Sequence, residues 1–86
     1  MKIKNSIRIL GKDYNVKYTK GLADFGSTDF NTQTILIKDE TTEDNKISAV
    51  IHEILECVNE ANDLTLSHQT IQTLEASLFC IYKDNF

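Results

Sequence analysis

The segment that decides the fold is residues 43–62, with the sequence EDNKISAVIHEILECVNEAN. Its apolar side chains recur at spacings of three and four, which predicts an amphipathic α-helix. These are Ile47, Val50, Ile51, Ile54, Leu55 and Val58. Thr41, with Asp44 three residues on, resembles a capping box, and Asn62 and Asp63 are typical stop signals. The sequence therefore predicts one long helix here.

The residues before this helix alternate between apolar and polar side chains, the period of a strand with one solvated face. The apolar positions are Ile3, Ile7 and Ile9 in the first run and Tyr14, Val16 and Tyr18 in the second. A turn at 10–13 joins the two runs into a predicted hairpin. Runs at 24–28 and 33–38, on either side of polar residues 29–32, predict a second hairpin.

A helical period returns after residue 63 and completes the predicted fold. Ser67 is the predicted N-cap of a second helix that runs to about Asp84. Its inner stripe is predicted to be Ile71, Leu74, Leu78, Ile81 and Tyr82. Strands followed by helices predict an α+β fold, with an antiparallel sheet of about four strands packed against two helices. We expect the 86 residues to form one domain, with strands in 1–40 and helices in 41–86.

Composition and charge exclude several classes of protein. Hydrophobic residues make up 41% and charged residues 26%, as in an ordinary globular domain. No apolar run is long enough to span a membrane and no secretion signal is visible, so we expect a cytoplasmic protein with Cys57 and Cys80 as free thiols. Residues 1–20 are basic and the remainder is acidic, but Arg8 is the sole arginine and clustered aromatic readers are missing. The charge split therefore favours a solvated strand face over nucleic-acid binding.

The predicted first helix carries a candidate metal site. His52 and Glu56 lie one turn apart and point the same way, roughly 120° to 160° around the helix from the apolar stripe. A short loop could return His68, at the start of the second helix, toward this pair. Two imidazoles and one carboxylate suit zinc and leave a position for water. The competing interpretation is a solvated helix face.

Two further acidic residues have candidate roles. Glu53 lies on a neighbouring, surface face of the first helix, where its carboxylate could act as general base toward an attacking water. Glu75 is predicted either to accept a hydrogen bond from a ligand imidazole or to be an ordinary solvated or Lys-paired acid. Cys57 projects about 140° away from His52 and cannot share its ion.

The second half of the chain resembles a known family. The segments 51–56 and 66–85, which include LEASLF and YKDN, look like small bacteriophage proteins related to zincin metallopeptidases of the ImmA/IrrE type. That resemblance implies a twisted sheet, an HExxH helix and a closing helix with a third, acidic ligand. It makes His52 the first zinc ligand and Glu53 the general base. Glu56 would replace the second His, and His68 would stand near the acidic ligand.

The resemblance implies a zincin-like, zinc-dependent metallopeptidase, a hydrolase acting in the cytoplasm of a bacterial host. Its substrate would be a peptide laid against a sheet edge. The alternative is a catalytically degenerate, metal-stabilised scaffold that binds a host or phage protein, or forms a homodimer, through its acidic helical face. A preserved metal-binding site does not by itself require hydrolysis.

Overall fold

The computed structural model describes residues 5–86, and the predicted strand position of Ile3 lies outside these residues. The elements in chain order are β1 (Ser6–Ile9), β2 (Lys12–Thr19), β3 (Gly26–Asp29), β4 (Thr34–Lys38), α1 (Glu43–Asn62) and α2 (His68–Asn85). Four strands precede two helices, so the predicted α+β class is confirmed. No helix in this part of the chain is long and apolar enough to cross a membrane.

The sheet is mixed, which corrects the prediction that it is wholly antiparallel. Its strand order is β1-β2-β4-β3, with antiparallel hairpins β1/β2 and β3/β4. After β2 the chain crosses to the edge of the sheet and forms β3. It then turns back and forms β4 between β2 and β3, so β2 and β4 run parallel. This register places Val16 beside Ile35 and Tyr18 beside Ile37. Inward-facing apolar residues thus stay on one face of the sheet.

The turn between β1 and β2 is shorter than predicted. Leu10 and Gly11 both have positive φ, 48° and 84°, as a two-residue hairpin turn with the twist of its strands requires. Lys12 and Asp13 therefore begin β2 instead of belonging to the turn. Gly11 suits this position because it has no Cβ to oppose a positive φ.

α1 covers one face of the sheet, and the core lies between them. The buried cluster comprises Ile9, Tyr14, Val16, Ile35, Ile37, Ala49, Val50 and Cys57. Thr42, one residue after the predicted Thr41, is the N-cap of α1 and accepts from the amide of Asn45 at 3.1 Å. Asp63 ends the helix in the left-handed region, in agreement with the predicted stop.

α2 packs against α1 and contacts no strand within residues 5–86. Its predicted N-cap is confirmed, because the Ser67 side chain accepts from the backbone of Thr70. The predicted inner stripe is wrong in part: Ile71 is buried, but Leu74, Leu78 and Ile81 remain 39%, 42% and 54% exposed. A helix that rests on a single neighbouring helix buries only a narrow face, and these three residues lie beyond it.

The two thiols differ in exposure and should differ in reactivity. Cys57 is buried in the core and Cys80 is exposed, and neither forms a disulfide. Burial raises the pKa of the Cys57 thiol, so its reactive thiolate form is further suppressed.

We expect one thiol to react rapidly with Ellman's reagent in the native, unreduced protein and both to react after denaturation. Cys80→Ser should abolish the rapid reaction. Two fast native thiols, or fewer than two after denaturation, would contradict this assignment.

Candidate functional site

A cleft of about 520 Å³ opens between α1, α2 and the residues that lead into β3. α1 contributes His52 and Glu53 to its lining, and α2 contributes His68 and Glu75. The other lining residues are those of segment 23–26 together with Asn45, Ser48, Ala49 and Gln72. Because β3 is the edge strand, the cleft adjoins the open side of the sheet. Two imidazoles and three carboxylates, those of Asp24, Glu53 and Glu75, therefore line one cavity.

Glu75 connects the two helices within this cleft. One of its oxygens lies 2.7 Å from His52 Nδ1, and the other accepts a 2.6 Å hydrogen bond from the hydroxyl of Ser48. An ionised carboxylate only accepts hydrogen bonds, so the proton of this contact belongs to His52 Nδ1. In neutral His52 the lone pair then lies on Nε2. Such an imidazole is oriented for metal ligation or proton transfer.

His68 lies next to His52 but has a different hydrogen-bond partner. The two ring centroids are 6.1 Å apart in an edge-to-face arrangement. Gln72 Nε2 lies 3.0 Å from His68 Nε2. An amide nitrogen only donates, so His68 Nε2 accepts and the proton of the neutral ring is on Nδ1. The two imidazoles therefore present different nitrogens to their side-chain partners.

Glu53 is buried, which corrects the prediction that it lies on the helix surface. Glu53 is only 6% exposed. Its carboxylate accepts a 2.8 Å hydrogen bond from the hydroxyl of Thr28 on β3. A Cβ on Gly26 would lie 3.1 Å from Glu53 Oε2, so the absence of a side chain there provides room. The sequence contained a signal, because Ala49, Glu53 and Cys57 form one row of the buried helix face.

Burial governs the acidity of Glu53. Desolvation raises the pKa of its carboxyl, and the negative charges of Glu56 and Glu75 add to this increase. The Thr28 hydrogen bond and the neighbouring His52 lower the pKa in part. A carboxyl with a raised pKa beside an accessible cleft is a typical feature of acid–base sites.

The structure brings together part of the predicted metal site. His52 and His68 lie in the same cleft, whereas Glu56 is half-buried on α1 and is not among the residues that line it. Glu75 occupies the place that was predicted for Glu56, beside the two imidazoles. Cys57 lies in the core, apart from this site.

The side chains that line the cleft are of the types that bind zinc, but in residues 5–86 they do not surround one position where an ion could sit. Imidazole and carboxylate are ordinary zinc ligands. Across residues 5–86, no three His, Cys, Asp or Glu side chains are arranged to hold one ion. The contacts explain this, since Gln72 engages His68 while His52 and Ser48 engage both oxygens of Glu75. An ion would have to compete with these hydrogen bonds.

Two residues that support the site escaped the sequence analysis. Ser48 precedes His52 by one helical turn, so helical spacing alone could have placed it near the cleft. Thr28 carried no comparable signal, because its contact with Glu53 depends on β3 occupying the edge of the sheet.

No protein-family model, curated protein or solved structure matches this chain.

Replacing Glu53 with Gln should stabilise the metal-free protein at neutral pH. Because burial raises the pKa of Glu53 above its ordinary 4.5, the folded state binds this proton more tightly than the unfolded chain. The free energy of unfolding therefore falls as pH rises from about 4.5 through the folded pKa. The variant lacks this ionisation, so its Tm should exceed that of the wild type near neutral pH.

Thermal melts in EDTA across this pH range measure the effect. The difference in Tm should shrink toward acidic pH, where Glu53 is protonated and resembles Gln. Glu60→Gln changes an exposed carboxylate on the same helix and is the matched control. A wild type that is more stable than Glu53→Gln at neutral pH would contradict the prediction.

Proposed function

We propose that this chain is a zincin-like, zinc-dependent metallopeptidase of bacteriophage origin that acts in the cytoplasm of a bacterial host. The observation that carries the proposal is the convergence of His52, Glu53, His68 and Glu75 on one cleft. Their side chains come from two helices that make contact through the cleft's own polar groups. A face that was merely solvated would not need Glu53 to be buried or His52 to be held by a carboxylate.

The two imidazoles would hold zinc, with one carboxylate completing the set. His52 would bind through Nε2, because Glu75 engages Nδ1. Glu56 would provide the oxygen ligand while Glu75 keeps its hydrogen bond to His52 Nδ1, and Glu75 would bind the ion only by giving up that hydrogen bond. Bound zinc supplies Lewis-acid polarisation of water and of an amide carbonyl.

Glu53 is the candidate general base of this reaction. Its carboxylate adjoins the cleft, and its raised pKa increases its basicity once it is ionised. The Thr28 hydroxyl holds one oxygen, and the bare backbone of Gly26 leaves room for the other. Glu53 would take a proton from the attacking water and deliver it to the departing amine. A peptide aligned with the β3 edge would reach this carboxylate.

A protein-interaction module is the second candidate, and the outer surface of α2 favours it. Leu74, Leu78 and Ile81 form an exposed apolar row at helical spacing. This row differs from the acidic helical face that was predicted to bind a partner or a second copy. Apolar residues grouped on one face are typical of interaction surfaces. Under this function, zinc would stabilise the pairing of α1 and α2 without hydrolysis.

Zinc binding is the first test of the proposal. Protein purified without a His tag should bind about one zinc ion per chain, measured by metal analysis and calorimetry. His52→Ala and His68→Ala should each weaken binding by about tenfold or more, because each removes an imidazole ligand. Equal affinities of the wild type and both variants would exclude this ligand set.

The third ligand is identified by comparing Glu75→Gln with Glu56→Gln. A loss of affinity confined to Glu75→Gln would support the set suggested by the cleft. A loss confined to Glu56→Gln would restore the set predicted from the sequence. Equal affinity of both variants with the wild type would exclude a carboxylate ligand from either position.

Catalysis is tested by the loss of the base. Glu53→Gln should keep its zinc yet reduce cleavage of a peptide library by about a hundredfold or more, because a general base contributes this much. Zinc analysis and peptide cleavage by the same samples measure the two effects. If the zinc-loaded wild type cleaves nothing while both proteins retain the same partner, the interaction module replaces the enzyme.

A further inference from the structure

The hydrogen bond between Gln72 and His68 occupies a ring nitrogen that the proposed zinc site would use. Both residues lie on α2, one turn apart, and their side chains are joined at Nε2 of each, 3.0 Å apart. Because the Gln72 amide nitrogen can only donate, it occupies the lone pair of His68 Nε2. A nitrogen that accepts a hydrogen bond through its lone pair cannot use that lone pair for a metal ion.

His52 presents the opposite arrangement. Its partner Glu75 engages Nδ1 and leaves Nε2 available. One imidazole of the cleft is therefore poised as a ligand, while the other is occupied at the equivalent atom. Both rings line the same cleft, yet residues 5–86 contain no completed group of metal ligands.

We propose that Gln72 is a positioning residue that holds His68 Nε2 out of the ligand set, so that zinc binding through this nitrogen must break the Gln72–His68 hydrogen bond. This inference rests on the proposed zinc site. Gln72 thereby sets the affinity of the cleft below the value that its donor groups would otherwise give. The two residues are exposed, so the bond competes with water and its effect on affinity is modest.

The test measures zinc affinity and the His68 tautomer in the same variants. Gln72→Ala removes the competing donor, and we expect zinc to bind about two- to tenfold more tightly. Gln69→Ala is the matched control, because Gln69 is an exposed glutamine of the same helix that does not line the cleft. Its affinity should equal that of the wild type. Calorimetry with zinc alone provides the affinities.

A second readout needs no metal. Imidazole ¹⁵N NMR of the metal-free protein at a pH where His68 is neutral should show its proton on Nδ1 in the wild type and in Gln69→Ala. In Gln72→Ala the ring should exchange between both tautomers. A general change in helix stability would not move the proton between ring nitrogens, so this readout separates positioning from a structural role.

Each outcome has a distinct meaning. Tighter zinc binding by Gln72→Ala, together with the tautomer change, supports the inference. Equal zinc affinity of the wild type and Gln72→Ala overturns it and leaves the zinc site intact, as does a His68 proton on Nε2 in the wild type. If zinc binds to none of the three proteins, the proposed function fails and the inference fails with it.

Discussion

The contact between Glu75 and His52 is the constraint on which the candidate site depends. α2 contacts α1 but no strand in residues 5–86, so the register of the two helices depends on the contacts between them, which include the ion pair of Lys83 with Asp44. Ile71 is the one fully buried residue of α2 in this region, and apolar packing from one such residue allows several rotations and shifts. The 2.7 Å hydrogen bond between Glu75 and His52, together with the one from Ser48, allows far fewer relative positions of the two helices. With that register, His68 lies beside His52.

Three glutamates place negative charge near this contact. Glu75 and Glu56 both raise the pKa of Glu53, which has itself been removed from water. Burying carboxyl groups near one another costs stability unless each has partners. Thr28, Ser48 and His52 provide those partners through hydrogen bonds. Thr28 and Ser48 are uncharged, so they satisfy hydrogen bonds of Glu53 and Glu75 without neutralising the carboxylates.

Local periodicity was sufficient to predict most of the fold. The α1 segment, Ser67 as N-cap and both hairpins follow from spacing and turn residues, which act over a few positions. The parallel pairing of β2 and β4 was missed because it depends on which hairpin strands meet, a choice made by the whole sheet. The burial of α2 was overestimated because a stripe of apolar residues indicates an inner face without showing how wide its neighbour is. The sequence likewise identified His52, His68 and Glu75 as candidates, but their pairing required the register of two helices.

Glu53 is a buried acid that α1 and the edge strand β3 accommodate together. An acid in the row of Ala49 and Cys57 would normally be replaced by an apolar residue, since this row faces the sheet. It is accommodated because β3 presents glycine at Gly26 and a hydroxyl at Thr28 where α1 passes over the edge strand. An alanine at Gly26 would bring its Cβ to 3.1 Å from the carboxylate and 3.2 Å from the Leu36 carbonyl, so even the smallest side chain crowds this place. Helix and edge strand are thus matched around one carboxyl group, which keeps a hydrogen-bond partner although it is removed from water.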